Sequence, residues 1–312
     1  MTCVDEAINV LRKKGLAAAS KKSARHAAEG LVGLQQRNSS DVAIVEINSE
    51  TDFVARNEQF QNLVSSAAAA VLKSTAMPQA LPEHQPQSFE LDAHSLNECF
   101  MGEVTLQDAV TDLAGTVREN LKLRRAFRLA VPQGVGGVCG TYLHAKVGPG
   151  LGLGRIAGAV VMQYESMDGQ ASRKKLEEFS DKLAMHVVGA IPRYLDRTAV
   201  PDAVLDAEKN VLTEQASTSG KPTNIVEKMV QGRLKKFYQE VCLLEQPFIH
   251  DDKISVAEAI QQAEQLSGFH GLKVTGFVRV QVGEGLESES EGGADTFAAE
   301  VAATLNQHSS PL

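Results

Sequence analysis

Apolar and polar positions along this chain change period at a few sharp places, and the sharpest is Val42 to Phe60. Val42 to Ile47 carries the β-branched enrichment of a buried strand, whereas Phe60, Leu63, Val64 and Ala67 recur at helical spacing. The chain therefore passes from strand to helix between Ser49 and Asn57, through a polar corner that holds Thr51, Asp52, Phe53 and Val54. Thr51 or Asp52 suits a helix N-cap, because a side-chain oxygen there accepts from orphan backbone N–H groups. Phe53 is open to two readings. A large aromatic just after a carboxylate, at the tip of such a corner, either folds into the core or stands out to fill a partner's pocket.

The pattern recurs further along. Glu29-Gly30-Leu31-Val32-Gly33-Leu34 precedes the strand at Val42 to Ile47 and its helix; Gly137-Val138-Cys139-Gly140-Thr141-Tyr142-Leu143-His144 precedes a strand at Ala157 to Tyr164 and a helix at Arg173 to Gly189. Helix positions Phe60, Leu63, Val64 and Ala67 roughly parallel Phe179, Leu183, Ala184 and Val187. This predicts an α+β fold of two related subdomains, each with helices on one face of a small antiparallel sheet. Lys273 to Val282 alternates like a strand, stops at Gly283-Glu284-Gly285, and is expected to complete the second sheet. Between the repeats, Ser74 to Asn97 is rich in proline, glutamine, serine and histidine and reads as a loop or insert. Helical patterning resumes at Leu106 with Val110, Leu113 and Val117 and reaches Glu119 to Arg125, whose paired arginines read as a solvated helix end.

Three further stretches have helical character. From Asp5 to Lys14, Ala7, Ile8 and Leu11 form a stripe that Gly15 stops. In Pro201 to Phe237, Val204, Leu205, Val211 and Leu212 recur one heptad apart, Gly220 stops one helix, Pro222 starts the next, and Ile225, Val226, Met229, Val230 and Leu234 follow. With charge on most faces and prolines at Pro192, Pro201 and Pro247, this reads as a projecting antiparallel hairpin, a coiled coil. After an acidic linker from Leu286 to Asp295, Phe297, Val301 and Leu305 form a short stripe that must dock on its own core or on a partner.

Composition narrows the function. Acidic residues outnumber basic ones, 39 to 31, for a net charge of -8. That argues against a nucleic-acid binder working through a broad basic face and favours a protein partner. Aromatics make up 5% and tryptophan is absent, while alanine is abundant, so helix content should be high. The four cysteines, Cys3, Cys99, Cys139 and Cys242, lack metal-ligand spacing and are expected as free thiols in a reducing compartment. No run reaches membrane-spanning length, and no signal peptide is evident at Met1.

The chemistry of an enzyme is not apparent. His144, His186 and His270 are scattered without a paired ligand spacing or a nucleophile elbow. His186 reads as a satisfied core histidine, and His144, at a strand end, is open to both a core and a contact reading. Gly152-Leu153-Gly154-Arg155-Ile156-Ala157 formally fits a dinucleotide fingerprint, but the β run follows it instead of preceding it; a hairpin loop is the expected structure. Gly220-Lys221 lacks the earlier glycine and the following hydroxyl of a phosphate-binding loop. We expect no enzyme activity, no cofactor and no metal.

Thr51-Asp52-Phe53-Val54 followed by Ala55-Arg56-Asn57 resembles the signature of translation elongation factor Ts, the family of nucleotide exchange factors for the GTPase elongation factor Tu. The resemblance extends to Glu119 to Arg125, to Ser219-Gly220-Lys221-Pro222, Glu227-Lys228-Met229-Val230, Gly232-Arg233 and Gln246-Pro247-Phe248, and is weakest from Ser74 to Thr105. It implies five parts: residues 1–28 as the remnant of a ubiquitin-associated-like domain with its linker; 29–132 as a first core subdomain; 133–198 with 240–285 as a second; 199–239 as the coiled-coil hairpin; and 286–312 as a C-terminal helix on a tether. Only the last helix of the family's three-helix N-terminal domain has a counterpart here, which suggests a shortened reading of the gene or a divergent start.

The resemblance also implies a function: binding of elongation factor Tu, displacement of its Mg²⁺, and release of GDP. Thr51, Asp52, Phe53 and Val54 would be the partner-binding residues, with further contacts from His144, Phe297 and Val301. Two family contacts are not matched, since a Lys-His pair falls at Asp181-Lys182 and an Ile-Gly pair at Val117-Arg118. The rival reading from another class is a non-catalytic scaffold or holdase using the hairpin and the C-terminal helix; a third is a small-molecule enzyme built on the Gly148 to Gly158 loop. The mitochondrial matrix is the favoured compartment, with the bacterial cytoplasm or a plastid as alternatives.

Overall fold

The computed structural model of the chain describes residues 25–74, 99–217 and 223–286. It is a mixed α+β fold with small antiparallel sheets and, among the described residues, seven α-helices. Strands β1 (Glu29–Arg37) and β2 (Asp41–Ser49) form a hairpin, extended by β5 (Leu121–Ala130) beside β2 and by the short β7 (Leu153–Gly154) beside β1. The second sheet has β8 (Ile156–Tyr164) in its centre, between β6 (Gly136–His144) and β13 (Lys273–Gln281). Short pairs complete the strands: β3 (Phe100–Met101) with β4 (Val104–Thr105), β9 (Ser166–Met167) with β12 (Phe269–His270), and β10 (Pro247–Phe248) with β11 (Asp251–Ser255).

Each sheet has helices on one face and the other sheet on its other face. The sheet–sheet layer is built from Val32, Val42, Ile44, Phe127 and Leu129 on one side and Leu143, Ala157, Ala159, Val161, Val278 and Val280 on the other. This second covering was not expected, and it explains why β2 is buried at all nine positions: Val42 and Ile44 face the opposing sheet while Ala43, Val45 and Ile47 face the helices. A strand covered on both faces reads as a continuous apolar run.

Helices α1 (Asp52–Ala55) and α2 (Glu58–Lys73) follow β2, and α3 (Leu106–Val117) packs beside α2. In the second half α4 (Arg173–Ala190) and α7 (Val256–Ser267) cover the sheet over a core that includes Met162, Leu176, Leu183, Val187, Ile260 and Phe277. The two halves share a device. The second glycine of each strand motif lies under its helix: a Cβ on Gly33 would come within 2.8 Å of the Val64 carbonyl oxygen, and one on Gly140 would overlap the backbone of Ser180. Glycine is there to let helix and strand backbones approach.

Helix α3 ends at Val117, with Arg118 in the left-handed region at φ 61°. The continuous helix to Arg125 is therefore wrong: Leu121–Ala130 is a strand, and its arginines are not a solvated helix end. A bulge in β5 opposite Glu46 and Ile47 lets two successive residues, Arg124 and Arg125, turn to one carboxylate. Glu46 is fully buried and accepts from Arg124 Nη1 at 2.9 Å, Arg125 Nε at 2.5 Å, Asn48 Nδ2 at 3.1 Å and the Gly283 backbone N–H at 2.8 Å. A charge on a strand face reads as exposed until its non-local partners are known. This cluster closes one end of the sheet–sheet layer.

Helices α5 (Asp202–Ser217) and α6 (Thr223–Val241) pack against each other. At their base Val200, Val241 and Cys242 form a small core with Tyr194, Val204, Leu205, Phe237 and Tyr238. Arg197 pairs with Glu245 and lies 4.7 Å over the Tyr238 ring. The stretches around Asp5 to Lys14, Ser74 to Asn97 and Phe297 to Leu305, and the turn Ser219 to Pro222, lie outside the described residues except at Ser74.

Candidate functional site

The corner from Ser49 to Asn57 is built by three local events. Strand β2 stops at Ser49, whose hydroxyl donates to the Thr51 carbonyl at 2.9 Å. Residues 52–55 make a single helical turn. Asn57 then caps α2, its Oδ1 accepting from Gln59 N at 2.8 Å and Phe60 N at 3.3 Å. Thr51 holds the N-cap position of α1 with extended backbone, but its side chain does not cap. The hydroxyl donates instead to Glu119 Oε1 at 2.7 Å, so the capping role expected of Thr51 or Asp52 belongs to Asn57, and to the next helix.

Phe53 stands outside the core. It is 76% exposed, the highest value among the large apolar side chains of the described residues. Its neighbours divide by direction. Val54, at 8% exposure, and Ala55 pack into the first core beside Phe60 and Leu63; Val54 therefore anchors the corner, and its side chain is not on the surface as a partner-binding residue would be. Asp52 faces solvent and pairs with Arg56 at 2.7 Å, one helical turn on. Such an exposed pair contributes little to stability, so Asp52 is free to exchange its partner. The corner thus presents one ring and one carboxylate side by side.

His144 ends β6 and is exposed, its Nδ1 3.5 Å from the Tyr142 hydroxyl; the core reading does not hold. The loop that follows it returns to α2, where Ser65 Oγ donates to the Leu151 carbonyl at 2.8 Å. Gln61 ties this side of α2 to the corner, with Nε2 donating to the Ala55 carbonyl at 3.3 Å while the helix passes close to Gly148. A cavity of about 320 Å³ lies in this loop between Leu34, Tyr142, Lys146 and Gly150. Gly152 and Gly154 lead into strand β8, not into a helix, and so do not form a dinucleotide cradle. Phe297 and Val301 lie outside the described residues.

His186 is the core histidine that its apolar surroundings suggested. It is fully buried, with Nε2 3.0 Å from Gln246 Oε1 and Nδ1 accepting from the Ile249 N–H at 3.2 Å. Burial depresses its pKa below the ordinary 6.5; the Gln246 bond opposes this and nearby His250 adds to it. Asp181 occupies one of the unmatched family positions. It accepts from the Thr141 N–H at 2.8 Å, and burial raises its pKa against that bond, with a contribution from Glu177. Cys99, Cys139 and Cys242 are buried, and burial pushes the Cys139 thiol up to about 12 and that of Cys242 up to about 11. Among the described residues no group of His, Cys, Asp and Glu is arranged to hold a metal ion, and no helix is long and apolar enough to cross a membrane.

Sequence reasoning gave no structural role to the residues that hold the corner: Glu50, Asn57, Gln61 and Glu119. Only Asn57 had a local signal, an amide just before a helical pattern. The comparisons with known proteins bear on the family. The family model described as Elongation factor TS matches residues 50–284. The chain is 42% identical over 300 residues to Elongation factor Ts of Paramagnetospirillum magneticum, covering 96% of this chain and 87% of that protein. It is 43% identical over 304 residues to Elongation factor Ts of Rhodospirillum rubrum, covering 97% and 89%. To a relative named Elongation factor Ts, mitochondrial, of Ostreococcus tauri it is 42% identical over 304 residues, covering 96% and 83%. The chain belongs to the elongation factor Ts family of translation elongation factors.

Proposed function

We propose that this chain is a guanine nucleotide exchange factor that binds elongation factor Tu and promotes release of its GDP. The observation that carries the reading is Phe53, an aromatic ring kept 76% exposed on a corner whose base is packed and hydrogen-bonded. A ring that gains nothing from its own core is suited to a pocket on another molecule. In the proposed complex Phe53 enters between elements of the GTPase that hold Mg²⁺, and Asp52 leaves Arg56 to engage the same elements. Neither residue chelates the ion. Their insertion favours the nucleotide-free form of the partner, so GDP and the factor oppose each other's binding by the same factor.

The reading assigns no covalent chemistry, no cofactor and no nucleic-acid contact to the chain. The proposed partner contacts beyond the corner are His144, which is exposed at the end of β6, and the helices α5 and α6, read as a coiled-coil arm that adds affinity. The proposed compartment is the mitochondrion, with the bacterial cytoplasm as the alternative; similar identity to a mitochondrial relative and to bacterial ones supports both. The test is release of fluorescent GDP from elongation factor Tu. Catalytic amounts of this chain should accelerate it, and the chain alone should bind no labelled nucleotide. No acceleration at any concentration overturns the reading.

A further inference from the structure

The corner that carries Phe53 is held by an exchange of carboxylates between two turns. Strands β2 and β5 are neighbours whose pairing runs to Ser49 opposite Leu121. The turn leaving β2 therefore lies beside the turn entering β5, which brings Glu50 and Thr51 against Glu119 and Asn120. Each glutamate accepts the backbone N–H of the residue after the other. Glu119 Oε2 accepts from Thr51 N at 3.1 Å, and Glu50 Oε1 accepts from Asn120 N at 2.6 Å. Glu119 Oε1 takes the Thr51 hydroxyl as well, at 2.7 Å. Arg25 joins the same knot: its carbonyl accepts from Asn120 Nδ2 at 2.7 Å and its guanidinium lies 3.5 Å from Glu50.

This knot bears on Phe53 because it holds the near end of the turn from which the ring leaves. A single helical turn of four residues has no stability of its own, and the Phe53 side chain has little packing to orient it. The far end of the turn is held by the buried Val54 and Ala55 and by Gln61 on the Ala55 carbonyl. The near end, one residue before Asp52, is held by Glu119 through both the N–H and the hydroxyl of Thr51. Charge-assisted bonds of this kind are stronger than neutral ones and directional.

We infer that Glu119 is a positioning residue for nucleotide exchange, fixing the direction in which Phe53 leaves the surface so that the ring enters its pocket without a further ordering cost. The inference rests on the exchange reading above and adds to it a residue that acts through Thr51. If it holds, loss of the Glu119 carboxylate costs most while Phe53 is present.

The test is a double-mutant cycle in the full chain, read as the rate of fluorescent GDP release from elongation factor Tu. Glu119→Ala should slow release about tenfold, the worth of a charge-assisted bond. In the Phe53→Ala background the same change should alter the rate by less than about twofold. Glu119→Gln, whose amide oxygen still accepts from the Thr51 hydroxyl, should lie between Glu119→Ala and the native chain, and it carries the cycle if Glu119→Ala does not fold. A slow Phe53→Ala with a native rate for Glu119→Ala overturns the positioning role. Equal slowing by Glu119→Ala in both backgrounds also overturns it, because the bond then acts independently of the ring. A native rate for Phe53→Ala overturns the exchange reading, and the positioning role with it.

Discussion

Replacing Phe53 by alanine separates a surface that works on a partner from one that serves the fold. A phenylalanine side chain buries roughly 150–250 Å² when fully enclosed. With 76% of Phe53 exposed, a pocket on another molecule could remove most of that area from water, about 3–5 kcal/mol at ~25 cal/mol per Å². Part of this is offset by ordering on association, which brings the expected loss to about 2 kcal/mol, the scale of an interface hot spot. That corresponds to a fall of about thirtyfold in complex formation. The fold should barely notice, since substitutions of exposed side chains stay within about 0.5 kcal/mol. The assay pairs two measurements on one preparation: fluorescent GDP release from elongation factor Tu as a function of factor concentration, and the urea midpoint of the free chain. A lowered midpoint with native exchange would refute the reasoning, because Phe53 would then be a core residue in solution. Native values for both would leave the corner without a function.

Other parts of the molecule make equally definite predictions. Glu46→Ala leaves Arg124 and Arg125 facing a buried site without their carboxylate, and should cost about 3 kcal/mol, the low end for breaking such a pair because both guanidinium groups keep some solvent contact; a urea midpoint unchanged from the native chain would refute this. Gly140→Ala sets a methyl group into the backbone of Ser180 and should destabilise by about 1–3 kcal/mol or more, whereas Gly134→Ala, with open space around its Cβ, should lose only the cost of its positive φ. His186 has a folded pKa below its unfolded one, so near and below about pH 6.5 the unfolded chain binds a proton that the folded chain does not. Its contribution is complete above that pH and is lost on acidification. The native chain should therefore lose more stability between about pH 7 and about pH 5.5 than His186→Gln does, and parallel losses would show that other groups carry the effect.

The sequence made the outline of the fold legible where periodicity is local. The strand at Val42 to Ile47, the helix beginning near Phe60, and the strand and helix at Ala157 and Arg173 all declared themselves by spacing, and they are found as β2, α2, β8 and α4. What failed was Glu119 to Arg125. Two arginines, a lysine and two leucines fit the solvated end of an amphipathic helix as well as they fit a strand with one end over a buried carboxylate. Only the pairing with β2, the bulge at Arg124 and the partner Glu46 decide between them, and those are contacts across 78 positions. The stacking of the two sheets was hidden for the same reason. Val42 and Ile44 look the same in sequence whether they face a helix or another sheet.

The site divides along a similar line. Residue identities at Thr51 to Val54 could be read directly, but their directions could not: in sequence Phe53 and Val54 are two adjacent apolar residues, and in the fold one is solvated and the other packed. On the inference above the ring is aimed by Glu119, 68 positions from Thr51, which meets it only because β2 and β5 pair. No periodicity marks such a residue, since its carboxylate answers to a backbone N–H and not to a side-chain pattern. The physical consequence reaches the function. Holding the corner fixed costs conformational entropy, and a ring left in water returns no burial to offset it. On the proposed reading the offset comes from the partner, which receives a side chain already aimed, and the carboxylate exchange between Glu50 and Glu119 is then part of the wedge although it lies behind it.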